Sequence, residues 1–492
     1  MRLSTRKVLD RSFSGLGILS LVLMGAALAV LLVPIFARGI RAVVFRETVE
    51  RREFIVKKMQ RGDRAELERE LALAGDARRP VFQMLEDYES EGWETLERLA
   101  ERNSAPEHVL KMIRGREQGL LRAIGRYEMA QMWAGRDPGA GLEELKEQLA
   151  GLEPVKAQIR ELLGALPGDD PQMPRDIYGA SRWDRAQAHL ERLLYRAEYR
   201  YDDPDAAATK LLHPRAEEFR DTALEPLFGY FEQNLTAMLR PQWTFYWRFW
   251  FDRSYDAYFF GGIWAEVLGT LYLTIGAMVV AAPVGVISAV YLAEYAGDSR
   301  FVSLIRICIS TLAGVPSVVF GLFGVAFFIR FLPVMEGRSV LVGSLVLALL
   351  VLPTVIRASE EAIKAVPRTY KEASLSLGAT RWRTIVKVIL PASLPGIITS
   401  VIISMGRAAG ETAPILFTAV VALGPALKPW EAFTTATPAL PSNIYSIVAE
   451  HEAVEEIIHV PYGMVLTLVS LVLVLNLAAI LLRARISRKL RG

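Results

Sequence analysis

Residues 264–292 read WAEVLGTLYLTIGAMVVAAPVGVISAVYL, an apolar run that as a helix, at about 1.5 Å of rise per residue, exceeds the roughly 30 Å of a bilayer's hydrocarbon. Four more such runs follow at 301–329, 339–356, 394–423 and 462–482. Strands of a membrane barrel would be shorter and would alternate apolar with polar residues, which these runs do not do. Each therefore reads as a membrane-crossing helix, the longer ones tilted or bent at Pro283, Pro316 and Pro414.

Upstream, residues 16–36 form a further run behind Arg2, Arg6, Lys7 and Arg11. Its small-residue triplet Ala27-Leu28-Ala29 sits mid-run, where cleavage would leave an apolar stub, so a signal anchor is expected. The expected fold class is all-α: a polytopic membrane helical bundle of about six spans with a large extracytoplasmic α-helical insert. The expected divisions are an anchor at 1–40, the insert at 41–260 and a transmembrane domain at 261–492.

Charge separates these parts. Of the 111 Asp, Glu, Lys and Arg residues, 71 lie within 41–250, leaving 40 for the other 282 positions, so the chain holds two physical objects and a purely soluble protein is excluded. A net charge of only +3 gives no reason to expect nucleic-acid binding. The single cysteine, Cys308, can form no internal disulfide and reads as a packing residue.

Basic residues resist translocation and so set the direction of the spans. Residues 357–391 carry Lys364, Arg368, Lys371, Arg381, Arg383 and Lys387, and the tail carries Arg483, Arg485 and Arg488. Six spans with both termini in the cytoplasm accommodate all of these, and place the charged insert and the acidic 424–460 segment outside.

In the insert, apolar residues recur at helical spacing, as in Leu67, Leu71 and Leu73 or Leu142, Leu145, Leu149 and Leu152. Breaks are expected at Gly75-Asp76, Pro106, 135–141, 164–174 and 202–204. A solvated scaffold is the default reading of such helices, with a docking or sensing surface as the alternative. The aromatic cluster Trp243, Phe245, Tyr246, Trp247, Phe249, Trp250 and Phe251 is expected at headgroup depth.

The chain lacks a G-x-x-x-x-G-K-[ST] phosphate loop, and His451-Glu452 is followed at 455 by Glu rather than the second His of a zinc protease. No Cys/His set has metal spacing and no nucleophile–base pair stands out, so neither a metal site nor a catalytic residue is assigned.

Between the fourth and fifth spans, residues 358–391 are patterned as helix-turn-helix. Pro367 opens a helix through Tyr370 to Leu377, Gly378 stands where a left-handed residue ends it, Thr380 caps a second helix, and Pro391 closes that one after Leu390. Glu372-Ala373-Ser374, Gly378, Val388, Leu390 and Pro391 resemble the E-A-A, G and I-x-L-P positions of the EAA loop in importer-type ABC transporter permeases, with Ser374 and Val388 as conservative departures. The resemblance implies that Tyr370, Glu372, Ala373, Leu377, Gly378, Leu390 and Pro391 take force from a partner ATPase.

Arg407 and Glu411 fall four residues apart, on one helical face near the middle of the fifth span. Ions at that depth are functional candidates, although an internal pair that merely locks two helices is the alternative. Arginine offers a planar fork of donors, while ionised glutamate only accepts. A phosphate that keeps one P–OH proton can answer both, whereas sulfate has no proton for the carboxylate.

The string Arg407-Ala408-Ala409-Gly410-Glu411-Thr412-Ala413-Pro414 resembles the R-x-x-G-E-T-A-P signature of PstA-type phosphate permeases, and Arg357 matches an arginine that family carries at the inner end of the preceding span. The resemblance covers roughly residues 264–482. It implies a bacterial inner-membrane importer of inorganic phosphate in which Arg357, Arg407, Glu411 and Thr412 bear on the pathway. Its implied partners are a second, PstC-like permease, two PstB-like ATPase subunits, which would bring ATP and Mg, and an external PstS-like phosphate-binding protein. The chain itself would bind no cofactor and carry no ATP site. Arg306 and Arg330 read as snorkelling to water, outside the pathway. A permease for sulfate, molybdate or a phosphonate, and a membrane sensor using the insert, remain alternatives.

Overall fold

The computed structural model describes residues 3–116, 119–138, 140–200, 209–297, 299–451 and 454–491. They form two compact units, Val44–Phe245 and the combination of Met1–Val43 with Tyr246–Gly492. Both are mainly helical, with three two-stranded antiparallel ladders that periodicity had not indicated.

In the Val44–Phe245 unit, Leu142, Leu145, Leu149 and Leu152 are all buried, as expected of an amphipathic stripe. Leu67 is buried too, but Leu73 is 53% exposed, because it falls off the stripe that Leu67, Ala74 and Val81 define. Asp63 starts the helix Arg64–Arg102 by accepting from the Ala65 and Glu66 amides. That helix runs unbroken through Gly75-Asp76 and Pro80, contrary to the expected break. A helical glycine costs only about 1 kcal/mol, and burial of the flanking Ala74 and Val81 outweighs it. The breaks at Pro106, 135–141 and 164–174 appear as helix ends; the one at 202–204, like Glu452 and Arg2, lies outside the described residues. The first and last strands of the unit, Val44–Glu47 and Gln242–Phe245, pair antiparallel, so its two ends meet. The aromatic cluster does not stay together in one role. Trp243 and Phe245 are exposed on the last strand, whereas Phe249 is a core residue of the other unit, only 2% exposed.

In that other unit, α1 is Leu3–Gly39, α2 Trp264–Val290, α3 Arg300–Ala313, α4 Ser317–Gly324, α5 Val340–Lys364, α6 Arg368–Ser376, α7 Arg381–Gly410, α8 Ala413–Thr418, α9 Leu440–Glu450 and α10 His459–Arg491. Among the described residues, five helices are long and apolar enough to cross a membrane. A sixth span exists only if α3 is joined to Ser317–Phe331, and those two pieces meet at 99°. Gly314 ends α3, and Pro316, which has no N–H and disfavours helical backbone in Val315, re-starts the chain in a new direction. Pro283, by contrast, sits inside α2 without breaking it.

Buried share ranks the helices. It is 67% for the most apolar stretch of α5, 39% for α2, and none for α1, which makes α5 the centre of the unit. α2 and α5 approach closely through small residues: a Cβ on Gly276 would meet Ser344 Oγ at 2.4 Å, and one on Gly285 would meet Val355 Cγ1 at 2.6 Å.

Candidate functional site

Pro367 caps α6, Leu377 closes it, and Gly378 turns the chain with φ +78°, a backbone glycine adopts without a Cβ clash. Thr380 caps the next helix by accepting from the Arg383 amide at 3.3 Å. That helix does not stop at Pro391. It widens into a π turn over Ile385–Ile389 and continues to Gly410. The wide turn is how the helix passes Pro391, whose ring would press on the carbonyl four residues back. Leu390 and Pro391 are thus partly buried within α7, Leu390 against the cluster of Ile363, Ile385 and Ile389.

One side of the loop is fastened: Lys371 pairs with Glu294, Arg381 donates to the Glu294 carbonyl, and Ser374 bonds Thr384 at 2.9 Å. The other side is bare. No residue of α6 is buried, Glu372 and Ala373 face outward, and Tyr370 and Leu377 are 54% and 89% exposed.

Arg407 occupies the last turn of α7, and Glu411 lies beyond it in extended backbone at φ −76°, ψ 129°. The two residues therefore do not share a helical face, nor does Arg407 sit at mid-helix. The chain leaves the helix after Gly410, and the carboxylate folds back so that Arg407 Nε donates to Glu411 Oε1 at 3.3 Å. Thr412 precedes α8, its carbonyl accepting from the Leu416 amide. Among the described residues only one of the five guanidinium N–H donors is engaged, and Arg407 remains 42% exposed while Ala408 and Ala409 are buried. Among the described residues the pair makes no side-chain bond to a second helix.

Arg357 is not brought to this pair. It is exposed, with no carboxylate in salt-bridge range among the described residues, and it lines a cavity of about 260 Å³ at the Lys364 end of α5. Arg306 of α3, read as snorkelling to water, instead meets Glu360 of α5 at 3.0 Å, and Lys364 meets the same carboxylate oxygen at 2.6 Å. A 54-residue separation hides that cluster from any local pattern; opposite charges at two span ends on the same membrane side were the available signal. A second missed cluster joins Tyr258, Glu266 and Asn443, with Tyr258 Oη donating to Glu266 Oε1 at 2.7 Å. Glu266 is 1% exposed, and its other oxygen has no hydrogen-bond partner among the described residues.

A central helix flanked by apolar ones thus carries a fastened loop with a bare outer side and a half-open arginine at a helix end. The family model for the binding-protein-dependent transport system inner membrane component matches residues 281–492. Phosphate transport system permease protein PstA 1 of Mycobacterium tuberculosis is 36% identical over 235 residues, 47% of this chain and 73% of that protein. The chain belongs to this family of ABC importer permeases, and its similarity is to the PstA type. The probable ABC transporter permease YqgI of Bacillus subtilis is 40% identical over 159 residues, a match spanning 32% of this chain and about half, 53%, of the relative. Among solved structures, a chain of the MetNI methionine ABC transporter overlaps with a TM-score of 0.36 at 19% identity, covering 46% of this chain and 94% of that one, too loosely to bear on the reading.

Proposed function

We propose that this chain is a transmembrane permease subunit of an ATP-driven importer of inorganic phosphate. The observation that carries the reading is the Arg407–Glu411 pair: a guanidinium with four N–H donors uncommitted among the described residues, beside a carboxylate acceptor, at the end of an apolar helix. Phosphate near neutral pH can accept from the first and donate to the second, and the similarity to PstA proteins favours the same solute. Thr412 adds a hydroxyl at the next position in the sequence.

ATP chemistry lies with partner subunits. Tyr370, Glu372, Ala373, Leu377 and Gly378 are the surface that feels them, consistent with the bare side of α6; Leu390 and Pro391 transmit from inside α7. The complex comprises a second permease, two ATPase subunits and an external phosphate-binding protein. The chain sits in the bacterial inner membrane with both termini cytoplasmic and residues 41–260 outside, where they act as a scaffold.

Phosphate uptake into proteoliposomes holding the assembled complex tests this. Arg407→Ala should reduce uptake to background while the ATPase subunits still copurify. Uptake at the unsubstituted rate in that variant would remove Arg407 from the pathway.

A further inference from the structure

We propose that the hairpin Ser254–Gly261 is a strap with two states, latched in this structure by Tyr258 and released when that side chain withdraws from the Trp264 end of α2. Its ladder is only two residue pairs long, Ser254 with Gly261 and Tyr255 with Phe260. So short a two-stranded ladder has little stability of its own, and side chains have to hold it down. Tyr258 is buried, and its hydroxyl donates to Glu266 Oε1 of α2 at 2.7 Å while accepting from Asn443 Nδ2 of α9. The same Asn443 amide donates to the Ala422 carbonyl at 2.9 Å, so one tyrosine joins the hairpin to two helices and the 422 segment.

Two independent observations show that the latched state is held against opposition. Asp256, Ala257 and Tyr258 run consecutively through left-handed backbone, with φ of 47°, 48° and 75°. Aspartate tolerates that region because its short side chain bonds locally, but alanine and tyrosine each bring a Cβ against the following carbonyl. Strain of this kind persists only where the surroundings impose it. The second observation concerns hydrogens: a hydroxyl and an amide group supply the cluster, and Glu266 Oε2 and Asn443 Oδ1, both buried, have no hydrogen-bond partner among the described residues. A buried polar network satisfied only in part is unfavourable.

Withdrawal of Tyr258 relieves both. It lets residues 256–258 return to negative φ, and it opens Glu266 and Asn443 to water, which has the missing hydrogens to give. Burial of the tyrosine ring and its hydroxyl bonds oppose the step, so the two states balance. The Leu440 amide keeps its bond to Thr270 Oγ1 at 2.9 Å throughout, so α2 and α9 stay joined and only the strap moves. What the strap controls is access to a carboxylate and an amide oxygen at the first turn of α2. The inference goes beyond the importer reading and does not depend on which solute the chain carries.

Hydrogen–deuterium exchange of the full-length chain in lipid nanodiscs, read by mass spectrometry, tests the strap. Neither phosphate nor an ATPase subunit is present, so the outcome is separate from that of the uptake assay. The reporters are the Phe259 and Gly262 amides, which bond the Asp256 and Arg253 carbonyls at 3.1 and 3.0 Å. Tyr258→Phe keeps the ring and removes the hydroxyl, and should quicken exchange over 256–262 by about tenfold while leaving α5 unchanged. Ala257→Gly removes a Cβ from left-handed backbone and alters no bond of the cluster, and should slow the same exchange by about threefold. Exchange over 256–262 that is unchanged in either variant, quickens in Ala257→Gly, or quickens in Tyr258→Phe equally with α5 overturns the proposal. If Tyr258→Phe does not fold, the direction of the Ala257→Gly effect decides alone.

Discussion

In the Val44–Phe245 unit, Leu142 and Leu152 are buried and long charged side chains cover the helices; in the unit built around α5, Ile287 is 70% exposed while Ser359, Ser400, Thr270 and Thr274 are buried. The two units solve opposite solvent problems. Water rewards the first for hiding hydrocarbon, while lipid makes hydrocarbon neutral and polar backbone expensive. Polar side chains in the membrane unit therefore turn inward and bond one another, as Ser359 and Ser400 do at 3.0 Å, or the preceding helical turn, as Thr274 does to the Thr270 carbonyl. The difference teaches that burial has to be read against the solvent of each unit.

The strongest way to break this comparison is to separate the units. Val44 pairs with Phe245, and the Tyr246 amide donates to the Val43 carbonyl at 2.7 Å, so the chain leaves and returns at one place. A chain joining residue 43 to 246 through a short flexible linker should insert and purify with its ATPase partners, and residues 44–245 alone should give a cooperative helical melt by circular dichroism. An aggregated 44–245 fragment would show that its core is not its own.

Next in size are paired truncations. Leu142→Ala, 1% exposed, should cost the 44–245 fragment about 2–5 kcal/mol in urea unfolding, whereas Ile287→Ala should shift the thermal stability of the membrane unit by no more than about 0.5 kcal/mol. Equal effects would erase the contrast.

Glu50 sharpens it. Burial, opposed by Arg78, pushes its carboxyl from 4.5 up to about 7. Between those values the folded unit binds the proton that the unfolded chain has released. Stability should therefore fall as pH rises from about 4.5 to about 7, by up to about 3 kcal/mol. Glu50→Gln should flatten the pH profile of the urea midpoint, and a profile unchanged by that substitution would discount the effect. The smallest effect belongs to Asp76, whose pair with Arg79 is two-thirds exposed: Asp76→Ala should move the same midpoint by less than about 0.5 kcal/mol.

Several features of the fold and loop were legible because their causes are local. Apolar runs need only their own length to announce a span, and Gly378 needs only its missing Cβ to end α6. Misreadings arose where a local signal met a longer-range force. Pro391 resembles a helix end, but the π turn before it keeps α7 whole; Gly75 resembles a break, but burial on either side holds that helix together. The four-residue spacing of Arg407 and Glu411 correctly paired them while misplacing the backbone that does so, because a helix and a helix end followed by a fold-back put both side chains within reach.

From residue order alone came the membrane class, the apolar runs, the charged excursion and the loop with its left-handed glycine. Each is a property of a short window or of composition. Only the packed chain decided that α5 is central, that the 301–329 run turns by 99°, and that Arg306 and Lys364 share Glu360. Those outcomes depend on which helices lie side by side, a choice set by the summed contacts of many residues and written in no single stretch of sequence.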